Sequence, residues 1–102
     1  MRIDEQVMSI DGQAKQLIAE GHPDRALEIL KLALTKENHS SKIESATHYY
    51  IMGNAHRKKG EWEKAMNAYQ EAIDLDPDSP AIEAKKHINE IMAFYCKDLY
   101  NP

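Results

Sequence analysis

The side chains best suited to catalysis or metal binding are scattered along this chain. The histidines are His22, His39, His48, His56 and His87. His48 and His56 lie about two turns apart on a predicted helix, roughly 12 Å, which is too far for them to share a metal ion. Cys96 is the only cysteine, so no disulfide can form within the chain and no cysteine-rich zinc site can be built. Because phosphate-binding, nucleophile-elbow and zinc-protease motifs are also absent, we predict no catalytic residue, metal or cofactor.

Composition and charge are typical of a small globular domain. The chain has 102 residues, of which 42% are hydrophobic and 29% are charged. Its net charge of −4 disfavours nucleic acid as a partner. No apolar run approaches the roughly 20 residues that span a bilayer, and no signal-like segment is visible. We therefore expect a soluble, cytoplasmic protein that binds neither membrane nor nucleic acid.

Small and aromatic residues in the segment 46–79 have the spacing of two antiparallel helices. Gly53 and Ala65 would let the helices approach closely, and larger side chains would fill the remaining space. Gly60 suits the left-handed residue that ends a helix. Pro77 stops the second helix, because it lacks a backbone N–H and disfavours helical geometry in the residue before it.

The same segment resembles a tetratricopeptide repeat (TPR). That repeat carries W-x2-L-G-x2-Y, then A-x3-F, then proline, over about 34 residues. The corresponding residues here are Tyr49, Met52, Gly53, His56, Ala65, Tyr69 and Pro77. All departures keep roughly the required bulk except His56, which is more polar than the tyrosine of the pattern.

A weaker copy of the pattern precedes this segment. The aligned pairs are Gly21 with Gly60, Ala26 with Ala65, Leu30 with Tyr69 and Ala33 with Ala72. The interval exceeds the usual period by a few residues, which we place in a loop at residues 36–41. Ser41 and Glu44 form a capping box that would start the next helix.

The chain is therefore predicted to be all-α, with about five helices. Their expected bounds are 4–20, 23–36, 42–59, 61–75 and 80–97. The resemblance implies one domain, 1–102, built as a short α-solenoid of two TPR pairs and a C-terminal capping helix. The parts are a degenerate repeat at 4–38, a well-matched repeat at 46–79, the capping helix at 80–98 and a tail at 99–102 that folds back. This arrangement is similar to short stand-alone bacterial TPR proteins, a group that we associate with no established activity.

What the TPR resemblance implies for function is a concave groove that binds a peptide, lined mainly by the first helix of each pair. The central repeat places Thr47, Tyr50, Ile51, Asn54, Arg57 and Lys58 there; Met8, Asp11 and Lys15 are upstream counterparts, and Lys85 is a downstream one. Because Arg57 and the lysines can hold carboxylates, we expect a protein or peptide partner of acidic character. The family's dicarboxylate clamp for chaperone C-termini is not expected, because most of its positions carry other residues here.

Other interpretations of these residues stay open. Arg57, Lys58 and Lys59 also suit a solvated helix end, where cations complement the helix dipole. Tyr50 and Asn54 lie on a face that is exposed whether or not a ligand uses it. A non-enzymatic interaction module or adaptor is the predicted function. A self-associating unit that uses its apolar terminal helices is the alternative, so that both a monomer and a weak homodimer are compatible with the sequence.

Overall fold

The protein consists of α-helices joined by short connections. The computed structural model describes residues 9–36 and 41–100, with side chains for 9–35 and 41–94. In these residues the chain forms α1 (Ile10–Ala19), α2 (Pro23–Lys36), α3 (Lys42–Lys58), α4 (Trp62–Leu75) and α5 (Ala81–Tyr100), and no strand. The predicted all-α fold with about five helices is therefore confirmed. None of these helices is both long and apolar enough to cross a membrane.

Two glycines end α1 and α3 in the same way. Gly21 follows α1 with a φ of 89°, and Gly60 follows α3 with a φ of 79°. The residue after each glycine donates its backbone N–H to a carbonyl in the preceding helix, at 2.7 Å after Gly21 and 2.9 Å after Gly60. These hydrogen bonds satisfy carbonyl groups that the helix end leaves unpaired. The left-handed conformation predicted for Gly60 is confirmed, and the aligned Gly21 shares it.

The α3–α4 pair depends on the close approach of Gly53 and Tyr69. Both residues are buried, and Tyr69 is completely inaccessible to solvent. A Cβ atom on Gly53 would lie 2.5 Å from Cδ1 and 2.9 Å from Cζ of the tyrosine ring. The ring therefore occupies space that any other residue type at this position would fill.

Two clusters of buried side chains join the helices. The first contains Ala14 from α1, Ala26, Leu27 and Leu30 from α2, Ile51, Met52 and Ala55 from α3, and Ala68 from α4. The second contains Ala46 from α3, Ala65, Tyr69 and Ala72 from α4, and Ala81 and Ile88 from α5. Because α3 and α4 contribute to both clusters, they connect the N-terminal pair to the C-terminal helix. Removal of this apolar surface from water is the main term that stabilises the array.

Polar contacts also attach α3 and its turn to the first helical pair. Nδ1 of His48 lies 2.6 Å from Oδ1 of Asp11 on α1, and His48 is only 4% exposed. Lys59, which follows α3, donates a hydrogen bond to Asp24 in the first turn of α2. Since these contacts involve the first half of α3 and the residue that follows the helix, they resist sliding of α3 against α1 and α2.

The start of α1 differs from the sequence prediction. Ser9 is extended, and its Oγ accepts a hydrogen bond from the backbone N–H of Gly12 at 3.0 Å. The helix consequently begins at Ile10. The predicted continuous helix from Asp4 is wrong, because the N-cap residue Ser9 is itself not helical. Residues 4–8 lie outside the described residues.

The starts and ends of the later helices show one agreement and one correction. Ser41 caps α3 as predicted, since its Oγ accepts from a backbone N–H in the first turn at 3.1 Å. The end of α5 was predicted too early, because the helix continues through Tyr100. Residues 99 and 100 therefore extend this helix and do not fold back as a tail. The segments 37–40 and 101–102 lie outside the described residues.

Replacing Gly53 with Ala should destabilise the protein, although Ala is normally the better helix former by about 1 kcal/mol. The added methyl group would overlap the ring of Tyr69, and such overpacking typically costs about 1 to 3 kcal/mol. The free energy of unfolding in urea measures this effect. Asn67→Ala, at an exposed position on α4, is the control and should stay within about 0.5 kcal/mol of wild type. A more stable Gly53→Ala protein would contradict the described packing.

Candidate functional site

A shallow depression of about 430 Å³ lies where α3 ends and α4 begins. It is lined by Asn54, Arg57, Lys58 and Trp62. The first three share one side of α3, because residues three and four apart are neighbours on a helix surface. The left-handed turn at Gly60 then reverses the chain and brings Trp62 to the same place. The structure thus brings together three of the residues that the sequence assigned to the groove.

The basic residues at the end of α3 differ in their partners. Lys59 donates to Asp24, and its Nζ lies 3.5 Å from Oε2 of Glu61. The hydrogen bond to Asp24 and the nearby carboxylates hold the pKa of Lys59 above its ordinary value of 10.5. Arg57 and Lys58, in contrast, form no ion pair with a carboxylate in the described part of the chain. Their charges are therefore available to a ligand.

The hydroxyl group of Tyr69 supports the depression from the core. It donates a hydrogen bond to Oδ1 of Asn54 at 2.5 Å. Burial raises the pKa of Tyr69, while the nearby guanidinium group of Arg57 acts in the opposite direction. The buried tyrosine thus holds one lining side chain, that of Asn54, directly.

Trp62 is a lining residue that the sequence-based groove prediction omitted. It is 36% exposed and contributes its side chain to the depression. The available signal was its position shortly after Gly60, since a tight turn returns the chain to the end of the preceding helix. Trp62 is also the only tryptophan in the sequence, so its fluorescence reports on this site alone.

Two comparisons with known proteins identify the helical repeat. A family model described as a TPR repeat matches residues 53–83. The Bacteroides fragilis protein BF1650, solved by solution NMR, is 45% identical to this chain; the match covers 92% of this chain and 91% of that chain, with a TM-score of 0.79. The chain belongs to the tetratricopeptide repeat family. No curated protein matches its sequence.

Membership of the TPR family confirms the resemblance that the sequence suggested. BF1650 has a similar length and superimposes over nearly the whole chain, which agrees with the expected similarity to short bacterial TPR proteins. TPR repeats generally mediate interactions between proteins and are generally not catalytic. The depression is therefore a candidate part of an interaction surface.

The other groove positions on α3 of this TPR protein differ in accessibility. Tyr50 is half-buried, and its ring packs against Tyr69 with centroids 6.0 Å apart and planes inclined at 39°. Thr47 is also half-buried and donates its hydroxyl proton to the carbonyl of Ile43 at 2.9 Å. Ile51 is 0% exposed, so its assignment to the groove surface is wrong. It belongs to the first core cluster, where side chains of α1 and α2 cover it.

The groove residues predicted on other helices do not line this depression. Lys15 is exposed on α1, and Lys85 on α5 donates a hydrogen bond to Gln70 of α4. Asp11 is engaged with α3 in the contact described above. Met8 lies outside the described residues.

His56 and Glu61 connect the two sides of the turn next to the depression. Nδ1 of His56 lies 2.8 Å from Oε1 of Glu61. The hydrogen bond with His56 lowers the pKa of Glu61 from its ordinary value of 4.5, and the charges of Lys59 and Lys64 act in the same direction. In the described residues, no group of three or more His, Cys, Asp or Glu could hold a metal ion. Because His56 lies on α3 and Glu61 directly precedes α4, their contact holds the turn that comes before Trp62.

Replacing Glu61 with Gln should remove a part of the folding stability that depends on pH. Because the pKa of Glu61 is lowered on folding, the ionised carboxylate stabilises the fold above pH 4.5, and this contribution is lost as the pH falls through the folded-state value. The difference in unfolding free energy between wild type and Glu61→Gln should therefore shrink between about pH 6 and about pH 3.

Urea unfolding at several pH values measures this difference. Glu63→Gln, which alters an exposed carboxylate in the same helical turn, is the control and should show a smaller change with pH. A difference for Glu61→Gln that stays constant over the whole range would contradict the assigned role of the His56 contact.

Proposed function

We propose that this TPR protein is a non-enzymatic interaction module that binds a peptide segment of a protein partner along α3. The depression at the end of α3 would be the principal contact. The observation that carries the proposal is that adjacent basic residues at the end of α3 differ in whether they have a carboxylate partner. Lys59 has carboxylate partners, whereas Arg57 and Lys58 have none in the described residues and lie beside the exposed Trp62.

The four lining side chains suit the recognition of an acidic peptide. Arg57 can bind a carboxylate through two parallel hydrogen bonds, while Lys58 adds a mobile point charge. Asn54 can bond to a peptide backbone, and Trp62 offers an apolar ring with a polar N–H group. Tryptophan and arginine are also the residue types that most often dominate the energy of protein interfaces.

The positive charge of the depression is a local property. The chain as a whole carries a net charge of −4, so an acidic partner would be repelled by much of the surface and attracted at the end of α3. Complementary charge of this kind favours a defined orientation and makes association sensitive to salt. Thr47 and Tyr50 on α3, with Lys15 and Lys85 on neighbouring helices, are the proposed peripheral contacts of a longer segment.

Affinity capture from the native cell extract tests this proposal. Wild type, Arg57→Glu and Lys31→Glu are immobilised side by side; Lys31→Glu makes the same change of charge at an exposed position on α2. The partner should be retained by wild type and Lys31→Glu. Its recovery on Arg57→Glu should fall roughly tenfold or more, because the substitution places a carboxylate where an acidic ligand binds.

Synthetic segments of the captured protein are then titrated against the wild-type chain with Trp62 fluorescence as the readout. The segment that binds should change the emission, because Trp62 lines the depression. Equal capture by wild type and Arg57→Glu would rule out this site. So would a bound segment that leaves the emission of Trp62 unchanged.

Self-association is a second candidate function, and the exposed apolar residues of α5 favour it. Ile82 is 40% exposed, Met92 is 38% exposed and Phe94 is 68% exposed. Helical arrays usually need a polar outer surface on their terminal repeats to remain soluble and monomeric. A second copy could pack against α5 and cover Ile82 and Met92, which lie on the same side of the helix.

Light scattering over a range of concentrations checks the second candidate. Self-association predicts an average mass that rises above 11.7 kDa with concentration, and Met92→Asp should return it to the monomer value. His87→Asp, at an exposed position on the other side of the same helix, adds an acidic side chain without removing an apolar one and should leave association intact. A mass of 11.7 kDa at every concentration would dismiss this candidate.

A further inference from the structure

The hydroxyl group of Tyr69 is hydrogen-bonded to Asn54, a side chain that lines the depression. Its ring is fully buried against Gly53, so the position of its oxygen is determined by core packing. That oxygen is 2.5 Å from Oδ1 of Asn54 and also interacts with Arg57. A buried group thus contacts the site from below, on the side that a ligand does not reach.

The direction of this hydrogen bond follows from the chemistry of the two groups. The atom of Asn54 that faces the hydroxyl is its amide oxygen, which can only accept. The single proton of the hydroxyl is then directed to Asn54, whose oxygen must be the acceptor. This arrangement leaves the amide N–H groups of Asn54 for the depression, and they meet no protein acceptor within the described residues.

The protonation of Tyr69 keeps this arrangement stable near neutral pH. Burial raises the pKa of its hydroxyl from the ordinary value of 10.0, and the charge of Arg57 opposes that rise only in part. The hydroxyl therefore keeps its proton under ordinary conditions and continues to donate to Asn54. A tyrosinate would instead accept, and the amide of Asn54 would be free to turn its oxygen toward the depression.

The polar groups that Asn54, Arg57 and Lys58 present to the depression are then all hydrogen-bond donors. A carboxylate is acceptor-only and matches such a site with two charged oxygens, whereas a neutral amide offers one uncharged acceptor oxygen beside an NH2 group that these donors cannot bind. The depression is also open and shallow, so a chain can cross it without ending there. We infer that Tyr69 is a positioning residue that makes this site specific for the side-chain carboxylates of an acidic peptide segment. This inference rests on the proposed peptide-binding function.

Titration with capped peptides tests the inference through Trp62 fluorescence. One heptapeptide carries three glutamates and a leucine, acetylated and amidated at its ends; a second has glutamine in place of each glutamate. A third is the glutamine peptide with a free C-terminal carboxylate. We expect the glutamate peptide to bind wild type roughly tenfold more tightly than either glutamine peptide, because charge-assisted hydrogen bonds are stronger than neutral ones.

Two substitutions separate the positioning role from a merely structural one. Tyr69→Phe keeps the ring against Gly53 but lets the amide of Asn54 rotate, so glutamate-peptide affinity should fall roughly fivefold while glutamine-peptide affinity changes little. Asn54→Asp still accepts from Tyr69 but presents a carboxylate oxygen, so it should abolish the preference for glutamate. The control is Tyr49→Phe, which removes the hydroxyl of a half-buried tyrosine on α3. It should leave the preference for glutamate unchanged.

The outcomes distinguish failure of this inference from failure of the proposed function. Thermal unfolding confirms that each variant is folded, and Asn54→Asp serves alone if Tyr69→Phe does not fold. A glutamate preference that survives both substitutions would overturn the inference, as would tight binding only by the peptide with a free C-terminus. If no capped peptide gives a saturable change at millimolar concentration, the inference is also wrong. The proposed function would survive any of these results, provided that capture still depends on Arg57.

Discussion

The contact between Gly53 and the ring of Tyr69 is the constraint on which the rest of the structure depends. Because Gly53 has no side chain, the ring can lie directly against the backbone of α3. The same ring belongs to the cluster that contains Ala81 and Ile88 of α5, and its hydroxyl reaches Asn54. One packing event therefore fixes the distance between α3 and α4, supports the last helix and orients a side chain of the candidate site.

The basic residues at the end of α3 have two roles, one in holding the fold and one in the proposed recognition of a partner. Lys59 is used to attach the turn to α2 through Asp24, while Arg57 and Lys58 on the preceding residues keep their charges for the depression. The first role explains why a run of three cations need not act as one solvated patch. Under the proposed function, the second explains how an acidic chain would still attract anions at one place. The proposed binding surface thus lies next to the contacts that hold the repeats together.

Local signals predicted the boundaries of α2, α3 and α4 well, because each depends on a few neighbouring residues. Gly60 takes the left-handed conformation expected at a helix end, and Ser41 caps α3. The first helix was predicted too long, since its apolar spacing was continued through Ser9 although the side chain of that residue caps the helix there. The predicted end of α5 is too early. No strong stop signal precedes Tyr100, and the apolar residues near the C-terminus had suggested a separate tail.

The sequence by itself determined the helical fold, the close α3–α4 pair and one face of α3 that contains Asn54, Arg57 and Lys58. Helical spacing is sufficient for this, because it depends on residues three and four positions apart. Only the tertiary structure decided that Ile51 is covered by α1 and α2, that Trp62 joins the depression, and that Lys59 pairs with Asp24, which lies 35 residues away. Burial and ion pairing depend on residues that are distant in the chain and become neighbours only when the helices stack.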